Sequence, residues 1–277
     1  MNVGVCLPVN FTVTPPVSEQ LAAVRRLETA GYRTVWTNEV IGKDAFTQLA
    51  VLLSATSELS FGTCVATIWA RPPQTAHAAA AYLAQAFPGR FTLGLGVGYP
   101  QQAESVGRSF GPPLSTMRDY LAGLSADTSP PAPTASFPTI LGANGPKMLA
   151  LAADLADGAL PAGLPPEHTA SARRILGPDK HLVVGLSIAD SLETARHTVS
   201  AWLARPSFAS TIADFGYPTA GDDVVRALVA CGGPDSVADL AHAHLAAGAD
   251  HVTLLPPMGT PFGEGIDHLL TLAPALT

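Results

Sequence analysis

The chain has 277 residues, of which 47% are hydrophobic and 13% charged, so it is too apolar for a disordered protein and long enough for one large domain. Its 15 basic residues are scattered among 22 acidic ones, and the net charge of −7 excludes a nucleic-acid backbone as partner. No apolar run reaches the ~18 residues of a membrane span, and the first residues lack the regions of a signal peptide. The cysteines, Cys6, Cys64 and Cys231, are far apart without a C-x-x-C pair, which predicts no disulfide framework or zinc site and fits a reducing cytoplasm.

Short β-branched runs alternate along the chain with longer segments of helical periodicity, the pattern of a parallel sheet covered by helices. Eight runs are predicted as strands, at residues 3–7, 33–37, 59–66, 91–97, 139–141, 158–160, 182–188 and 251–255. The first predicted helix has Leu21, Val24 and Leu27 on its buried face, and the second begins near Asp44. Eight strands in a chain near the ~250 residues typical of the fold predict an α/β protein, a (β/α)8 TIM barrel.

Two regions interrupt the alternation of strands and helices. One is a proline-rich passage over residues 112–138, and the other is a long stretch over residues 192–233 that carries four large apolar side chains. We predict that the second is a helical insertion after the seventh strand, packed over one end of the barrel. Neither region has the composition of a linker, so residues 1–277 are predicted to form a single barrel domain.

Candidate functional residues follow two of the predicted strands, because function in parallel α/β folds is located at the carboxyl ends of strands. Glu39 follows the second strand, where its carboxylate would point into the barrel mouth and orient a ligand or act as acid or base. The alternative for Glu39 is a solvated loop carboxylate. After the fourth strand, glycines alternate at Gly94, Gly96 and Gly98, which clears one face for a flat ligand or for barrel packing. Pro100 and the G-x-G-x-G spacing disfavour a dinucleotide-binding motif.

A third candidate is the turn over residues 142–145, which connects a short strand to a predicted helix. Pro146 occupies the first helical position, and the free backbone N–H groups of such a helix start, together with the helix dipole, suit a phosphate. Helix starts of this kind that bind nothing are the alternative. His242 and His244 are two positions apart on a predicted helix, so both are expected at the surface. No metal-ligand, nucleophile-elbow or Walker A pattern occurs in the sequence.

Four segments in chain order carry a family resemblance, namely Asn38-Glu39, residues 59–65, residues 89–98, and residues 141–148 followed by Ala156-Asp157-Gly158. Together they resemble the bacterial luciferase-like flavin oxidoreductases and, among these, the branch of coenzyme F420-dependent enzymes. The resemblance runs from Val3 to Leu255. It implies a (β/α)8 barrel, generally a homodimer, that holds coenzyme F420 or FMN at its mouth and transfers a hydride to or from a small-molecule substrate.

The resemblance also implies roles for individual residues. Those implied to contact the cofactor are Asn38, Thr63, Cys64 and Val65 in the second and third strand ends, Gly96, Gly98 and Gln102 near the fourth, and Gly142, Ala143, Asn144 and Gly145 around the phosphate. The third-strand residues would form a bulge behind the ring, with a cis peptide between Cys64 and Val65. Glu39 and Tyr99 are the predicted catalytic residues.

Two positions depart from the family pattern. Val40 stands where a histidine often follows the acidic residue, and Tyr99 replaces an acid, which argues against the sugar-phosphate dehydrogenase reaction of the family. Three alternatives to the F420-dependent oxidoreductase stay open. They are an FMN-dependent monooxygenase, a flavin-binding barrel without turnover, and a lyase or hydrolase that uses the turn at residues 142–145 for a sugar phosphate. No metal site is predicted.

Overall fold

The strands of the protein form a closed parallel barrel. The computed structural model describes residues 1–40, 42–217 and 220–277. The strands in this part of the chain are β1 (Val3–Cys6), β2 (Thr34–Thr37), β3 (Ser60–Thr63), β4 (Ala66–Thr67), β5 (Phe91–Gly96), β6 (Thr139–Gly142), β7 (Gly158–Leu160), β8 (His181–Ala189), β9 (Val229–Cys231) and β10 (His251–Leu255).

Helices follow most of the strands. In the same described residues they are α1 (Val17–Thr29), α2 (Ala45–Ser54), α3 (Pro73–Ala86), α4 (Pro100–Glu104), α5 (Pro113–Leu124), α6 (Pro146–Leu155), α7 (Pro166–Leu176), α8 (Leu192–Leu203), α9 (Pro206–Asp214), α10 (Asp222–Leu228), α11 (Pro234–Ala246) and α12 (Phe262–Leu276). Among them, none combines the length and the apolar character needed to cross a membrane.

The strand order confirms the predicted (β/α)8 barrel. Neighbouring strands run β10, β1, β2, β3, β5, β6, β7 and β8, and β8 pairs with β10 to close the ring. Every pairing is parallel, as in the β1–β2 pair, where Val5 lies opposite Val35 and Cys6 opposite Trp36. The two remaining strands are short additions, β4 beside β5 and β9 beside β8.

One local feature confirms an expectation from the family resemblance, and two differ from the sequence expectations. The third predicted strand, residues 59–66, is divided into β3 and β4, and the predicted cis peptide between Cys64 and Val65 lies between them. The insertion predicted over residues 192–233 is helical only to Leu228, because β9 follows and pairs with β8 at Ser187. The proline-rich passage contains helix α5, since prolines at the start of a helix occupy positions that need no N–H donor.

The core consists of a layer between barrel and helices and a smaller layer inside the barrel. Helix α2 shows how the outer layer arises: Leu49, Leu52 and Leu53 are buried on one face, and the Asp44 carboxylate caps the helix by accepting the Thr47 N–H at 2.8 Å. Each such leucine contributes ~1.5–3 kcal/mol by leaving water. The inner layer includes the side chains of Cys6, Trp36, Ile140, Leu160 and Val183 from five different strands.

Candidate active site

A cavity of about 740 Å³ opens at the carboxyl ends of the barrel strands. Its lining comes from the ends of seven strands and from the insertion helices α8 and α9. Four of the residues predicted from the sequence line it, namely Asn38, Tyr99, Asn144 and Gly145. Both the size and the position are those of a small-molecule site in a (β/α)8 barrel.

Glu39 lies behind the cavity wall and not in the open mouth. The residue is only 5% exposed, and both carboxylate oxygens accept hydrogen bonds from the Arg71 guanidinium, at 2.5 and 3.1 Å. The backbone N–H groups of Ala45 and Thr67 donate to the same carboxylate at 3.1 and 3.0 Å. Both expectations about the location of Glu39, the open mouth and a solvated loop, are therefore wrong. The carboxylate can be buried because Arg71 and two backbone N–H groups compensate its negative charge. The catalytic role of Glu39 stays a prediction.

The glycines at the end of β5 make room for neighbouring side chains. A Cβ atom on Gly96 would lie 2.3 Å from Val65 Cγ2, and one on Gly98 would lie 1.8 Å from Gln102 Oε1. Gly98 also has a φ of +63°, which favours glycine. Gln102 Oε1 accepts the backbone N–H of Tyr99 at 2.9 Å, and Tyr99 itself is exposed at the cavity. The glycine pattern thus serves close packing at the strand end while leaving Tyr99 on the rim.

The predicted bulge after β3 contributes to the site in three different ways. The buried Thr63 hydroxyl donates to the Gly94 carbonyl at 2.7 Å and accepts the Gly94 N–H at 2.8 Å, which ties β3 to β5. The Cys64 thiol donates to Asn38 Oδ1 at 3.1 Å and so supports a residue of the cavity lining. Val65 fills the space beside Gly96. The bulge is thus a support layer directly below the cavity.

The turn before α6 is held in place by its own polar groups. The Asn144 side chain donates to the Ala162 carbonyl at 3.1 Å and accepts the Ala162 N–H at 3.0 Å, and His168 Nε2 donates to the Asn144 carbonyl at 2.8 Å. Gly145 caps α6, and the backbone N–H groups of Gly145 and Lys147 belong to the helix start, where helix geometry supplies no acceptor. The amide of Asn144 therefore shapes the turn, while backbone N–H groups remain to bind an anion.

A pair of cysteines lies at the floor of the cavity. Cys6 Sγ and Cys64 Sγ are 3.1 Å apart, although 58 positions separate them in sequence. Burial and the hydrogen bond shared with Cys6 raise the pKa of the Cys64 thiol, whereas the charge of Lys43 opposes the increase. Burial lowers the pKa of Lys43, whose ammonium donates to Thr37 Oγ1 at 2.9 Å. Sequence reasoning missed this pair because the barrel, and not chain proximity, brings β1 and β3 together.

The expectation that both histidines of α11 lie at the surface is correct for His242 and wrong for His244. His244 is 1% exposed, and its Nδ1 shares a hydrogen bond of 2.8 Å with Thr169 Oγ1 of α7. Burial lowers the pKa of His244 to about 4. The helical spacing could have indicated this burial, since Val237 and Ala241, seven and three positions before His244, lie on the same buried face.

The insertion helices supply an aromatic wall that sequence reasoning left without a function. Trp202 of α8 and Phe208 of α9 line the cavity with their rings 5.8 Å apart, and the Arg205 guanidinium lies 5.5 Å from the Phe208 ring centroid. Pro256, Pro257 and Met258 after β10 line the same cavity. The sequence predicted an insertion packed over one end of the barrel, but no local pattern indicated that its aromatic side chains face the carboxyl ends of the strands.

Comparison with known proteins identifies the family of the chain. The family model described as luciferase-like monooxygenase matches residues 1–176. The chain belongs to the luciferase-like monooxygenase family. A Mycobacterium tuberculosis relative, provisionally named a coenzyme F420-dependent oxidoreductase, is 33% identical over 187 residues, which cover 56% of this chain and 54% of the relative. The chain spans about half the length of the curated relatives it matches.

Solved structures of other proteins share the fold over the whole chain. An F420-dependent secondary alcohol dehydrogenase in complex with an F420-acetone adduct superposes with a TM-score of 0.77 at 15% identity, covering 100% of this chain and 99% of that one. A type II Baeyer–Villiger monooxygenase from Pseudomonas putida in complex with FMN gives 0.73 at 14% identity, with 100% and 99% coverage. At such identities the likeness establishes the shared barrel alone.

Proposed function

We propose that this luciferase-like protein is an oxidoreductase that binds coenzyme F420 in the mouth cavity and transfers a hydride between the cofactor and a small organic substrate. The observation that carries the proposal is the cavity itself, which joins Tyr99 and Asn38 to the start of α6 in a chain of this family. The name of the Mycobacterium tuberculosis relative supports coenzyme F420 over FMN.

The residues around the cavity fit a flavin or deazaflavin with a phosphate. Backbone N–H groups of Gly145 and Lys147 and the dipole of α6 suit the phosphate, each dipole interaction being worth ~0.3–1 kcal/mol. Arg205 adds a positive charge at the lining, which suits an anionic tail. When bound, the cofactor supplies the hydride chemistry, so the protein needs only to bind, orient and shield.

The residues of the chain divide these tasks. Tyr99 is the predicted catalytic residue whose side chain lines the cavity, and its hydroxyl would donate a hydrogen bond or proton to the substrate. Asn38, held by Cys64, would orient a polar group of the ligand. Glu39 acts through Arg71 and the backbone of Ala45 and Thr67, and so is best described as a positioning residue.

The aromatic wall indicates a substrate with an apolar part. Trp202 and Phe208 line the cavity together with Pro256, Pro257 and Met258, which follow β10. Such side chains bind apolar groups and exclude water, which strengthens the electrostatic interactions at the reacting centre. A small ketone, alcohol or similarly weakly polar molecule suits this wall.

Equilibrium titration of the purified protein with coenzyme F420 and with FMN tests the cofactor. Tighter binding of coenzyme F420 is expected, followed by its oxidation or reduction when a panel of small alcohols and ketones is added. Tighter binding of FMN would place the protein with the FMN-dependent monooxygenases, a reading favoured by the family description and by the FMN-bound neighbour.

Two further outcomes separate the remaining alternatives. Cofactor binding without turnover on a broad panel would indicate a flavin-binding protein. Absence of affinity for either cofactor, together with binding of a sugar phosphate, would favour a lyase or hydrolase. A homodimer and a cytoplasmic location are part of the proposal; the first rests on the family resemblance and the second on the spacing of the cysteines in the sequence. Light scattering and cell fractionation check them.

A further inference from the structure

Two of the three cysteines meet below the mouth cavity, each at the end of a different strand. Cys6 ends β1 and Cys64 directly follows β3, and their sulfur atoms are 3.1 Å apart. This separation is only about 1 Å longer than a disulfide bond of ~2.05 Å. In a (β/α)8 barrel, side chains from alternate strands share a layer of the interior, so β1 and β3 present the two thiols at one level.

The pair adjoins the cavity. Cys6 is part of the cavity lining although it is only 1% exposed, and Cys64 is partly exposed. The third cysteine, Cys231, is buried in the separate apolar cluster of the insertion. All three are free thiols. The chain therefore offers one pair of adjoining thiols beside the cavity and one isolated, buried thiol.

The contact between the two sulfurs, and not a lowered pKa, favours a bond between them. The Cys64 thiol donates to Asn38 Oδ1 at 3.1 Å, and burial together with the hydrogen bond shared with Cys6 raises its pKa, while the positive charge of Lys43 opposes this increase. The thiolate is the nucleophilic form of cysteine. Apart from its contact with Cys64, the Cys6 thiol makes one long hydrogen bond, which it donates to the Leu7 carbonyl at 3.6 Å. Its sulfur is therefore available as the second partner of the bridge.

We propose that Cys6 and Cys64 form an oxidative modification site, which a peroxide small enough to enter the mouth converts into a reversible disulfide. The proposal does not rest on the proposed function. Its first step is attack of the Cys64 thiolate on a peroxide oxygen: the O–O bond breaks, Cys64 becomes a sulfenic acid, and with hydrogen peroxide the other oxygen leaves as water after taking a proton.

The second step closes the bridge. Cys6 sulfur attacks Cys64 sulfur, the S–S bond forms, the S–O bond breaks, and a second water leaves with the proton of the Cys6 thiol. The two sulfurs together lose two electrons, which the two peroxide oxygens gain. Because the second thiol is already in contact, closure outruns further oxidation of Cys64 to sulfinic acid. A dithiol reductant reverses the reaction.

Peptide mapping of the folded wild-type protein after treatment with hydrogen peroxide tests this site. Remaining thiols are alkylated in denaturant, and the digest is analysed by mass spectrometry. We expect the free thiols to fall from three to one, a linked peptide pair containing Cys6 and Cys64 within a single chain, and full recovery of three thiols with dithiothreitol.

Variants separate the pair from other thiol chemistry. Cys231→Ala keeps the same linked peptides, with thiols falling from two to none, whereas Cys6→Ser leaves Cys64 to accumulate sulfinic acid that dithiothreitol does not reverse. Protein oxidised in guanidinium provides the unfolded reference, in which Cys231 enters the cross-links. Three intact thiols after treatment, sulfinic acid at Cys64 without a bridge in the wild type, or a bridge only between chains would each overturn the proposal.

Discussion

Arg71 and Glu39 form an ion pair that is almost closed to solvent, with Arg71 Nη2 lying 2.5 Å from Glu39 Oε1. The two side chains are 11% and 3% exposed. The same guanidinium reaches the Asp44 carboxylate at 2.7 Å and lies 4.4 Å from the ring centroid of Phe46. Because Asp44 caps α2, the pair connects the end of β2, the start of α2 and the segment after β4. This arrangement makes the pair a support of the cavity wall.

Replacement of Arg71 by methionine is expected to destabilise the protein strongly. Arg71→Met leaves the Glu39 carboxylate buried without its cation, and loss of one partner of a buried pair costs about 3–5 kcal/mol. Guanidinium unfolding measures the change in the free energy of unfolding. Arg33→Met is the matched control, since Arg33 pairs with Glu58 in the open, both more than half exposed. Its expected loss is below about 1 kcal/mol. Equal losses in the two variants would contradict the buried support.

Removal of the Tyr99 hydroxyl is expected to slow turnover without releasing the cofactor. Tyr99→Phe keeps the ring on the cavity rim and removes the proton donor, and positioned proton transfer contributes ~10²–10⁴-fold. We expect kcat to fall about 100-fold on a true substrate, at the lower end of that range, while the cofactor Kd changes less than a few-fold. Tyr82→Phe, on the exposed face of α3, is the control and keeps full activity.

Glu39→Gln distinguishes a catalytic from a positioning role for the carboxylate. As a positioning residue, Glu39 acts through stability, so the variant loses activity in step with its loss of folded protein and keeps the pH profile of kcat. A changed pH profile in fully folded Glu39→Gln would assign it a proton-transfer role. Full activity of both Tyr99→Phe and Glu39→Gln would move proton delivery to another group or to solvent.

A negative charge at the start of α6 is expected to weaken cofactor binding by electrostatics alone. In the described chain, nothing outside its immediate neighbours lies within 4 Å of the position that a Cβ on Gly145 would take, and its φ of −95° suits any residue. Gly145→Asp therefore introduces a carboxylate without crowding, beside the N–H groups proposed to bind the phosphate. Gly145→Asn is the control of equal size without the charge.

Titration of the two Gly145 variants with the cofactor gives the readout. The aspartate variant is expected to bind at least about tenfold more weakly than the asparagine variant, which corresponds to ~1.4 kcal/mol. The difference should shrink as salt is added, because the site is open to solvent. The same cofactor affinity in both variants would contradict the proposal that this turn binds the cofactor phosphate.

The barrel was predictable from the sequence because its signals are local. Parallel strands buried on both faces appear in the sequence as continuous apolar runs. The start of α2 is indicated by its capping residue Asp44, and the helix itself by the spacing of its leucines. The division of the third strand followed from the family resemblance and not from the residues. The strand β9 was missed because its three residues, Val229–Cys231, are too short to separate from the buried face of a preceding helix.

The site was only partly predictable because its contacts join distant parts of the chain. Asn38, Tyr99, Asn144 and Gly145 were found, since each directly follows a strand. The buried Glu39 carboxylate forms its ion pair with Arg71, which lies 32 positions later in the chain. No local sequence pattern predicts such a pair. The meeting of Cys6 with Cys64 and the position of the aromatic wall likewise depend on barrel closure, which local patterns do not encode.

Stability of the protein is expected to fall as the pH decreases from about 6.5 to about 4. Burial, with smaller effects of His168 and His181, lowers the pKa of both His244 and His251 to about 4. The unfolded chain binds protons on these residues near the ordinary histidine value of 6.5, so acid favours unfolding throughout this interval. Each unit of pKa difference is worth about 1.4 kcal/mol for a fully formed shift.

The hydrogen bonds of His251 make it the residue on which to test this dependence. Trp36 Nε1 donates to His251 Nε2 at 3.2 Å, so Nε2 carries no proton, and Nδ1 donates to Asn2 Oδ1 at 2.9 Å. Protonation of Nε2 would break the bond to Trp36.

The free energy of unfolding of wild type, His251→Gln and the exposed control His242→Gln is measured by urea unfolding at half-unit steps of pH. His251→Gln should flatten the slope between pH 6.5 and about 4 relative to the other two, whatever its absolute stability. Carboxylates such as Asp44, whose pKa is held below its usual value by the Thr47 N–H and Arg71 against the effect of burial, act at lower pH and are common to all three proteins. Parallel slopes in all three would show that His251 does not titrate with unfolding.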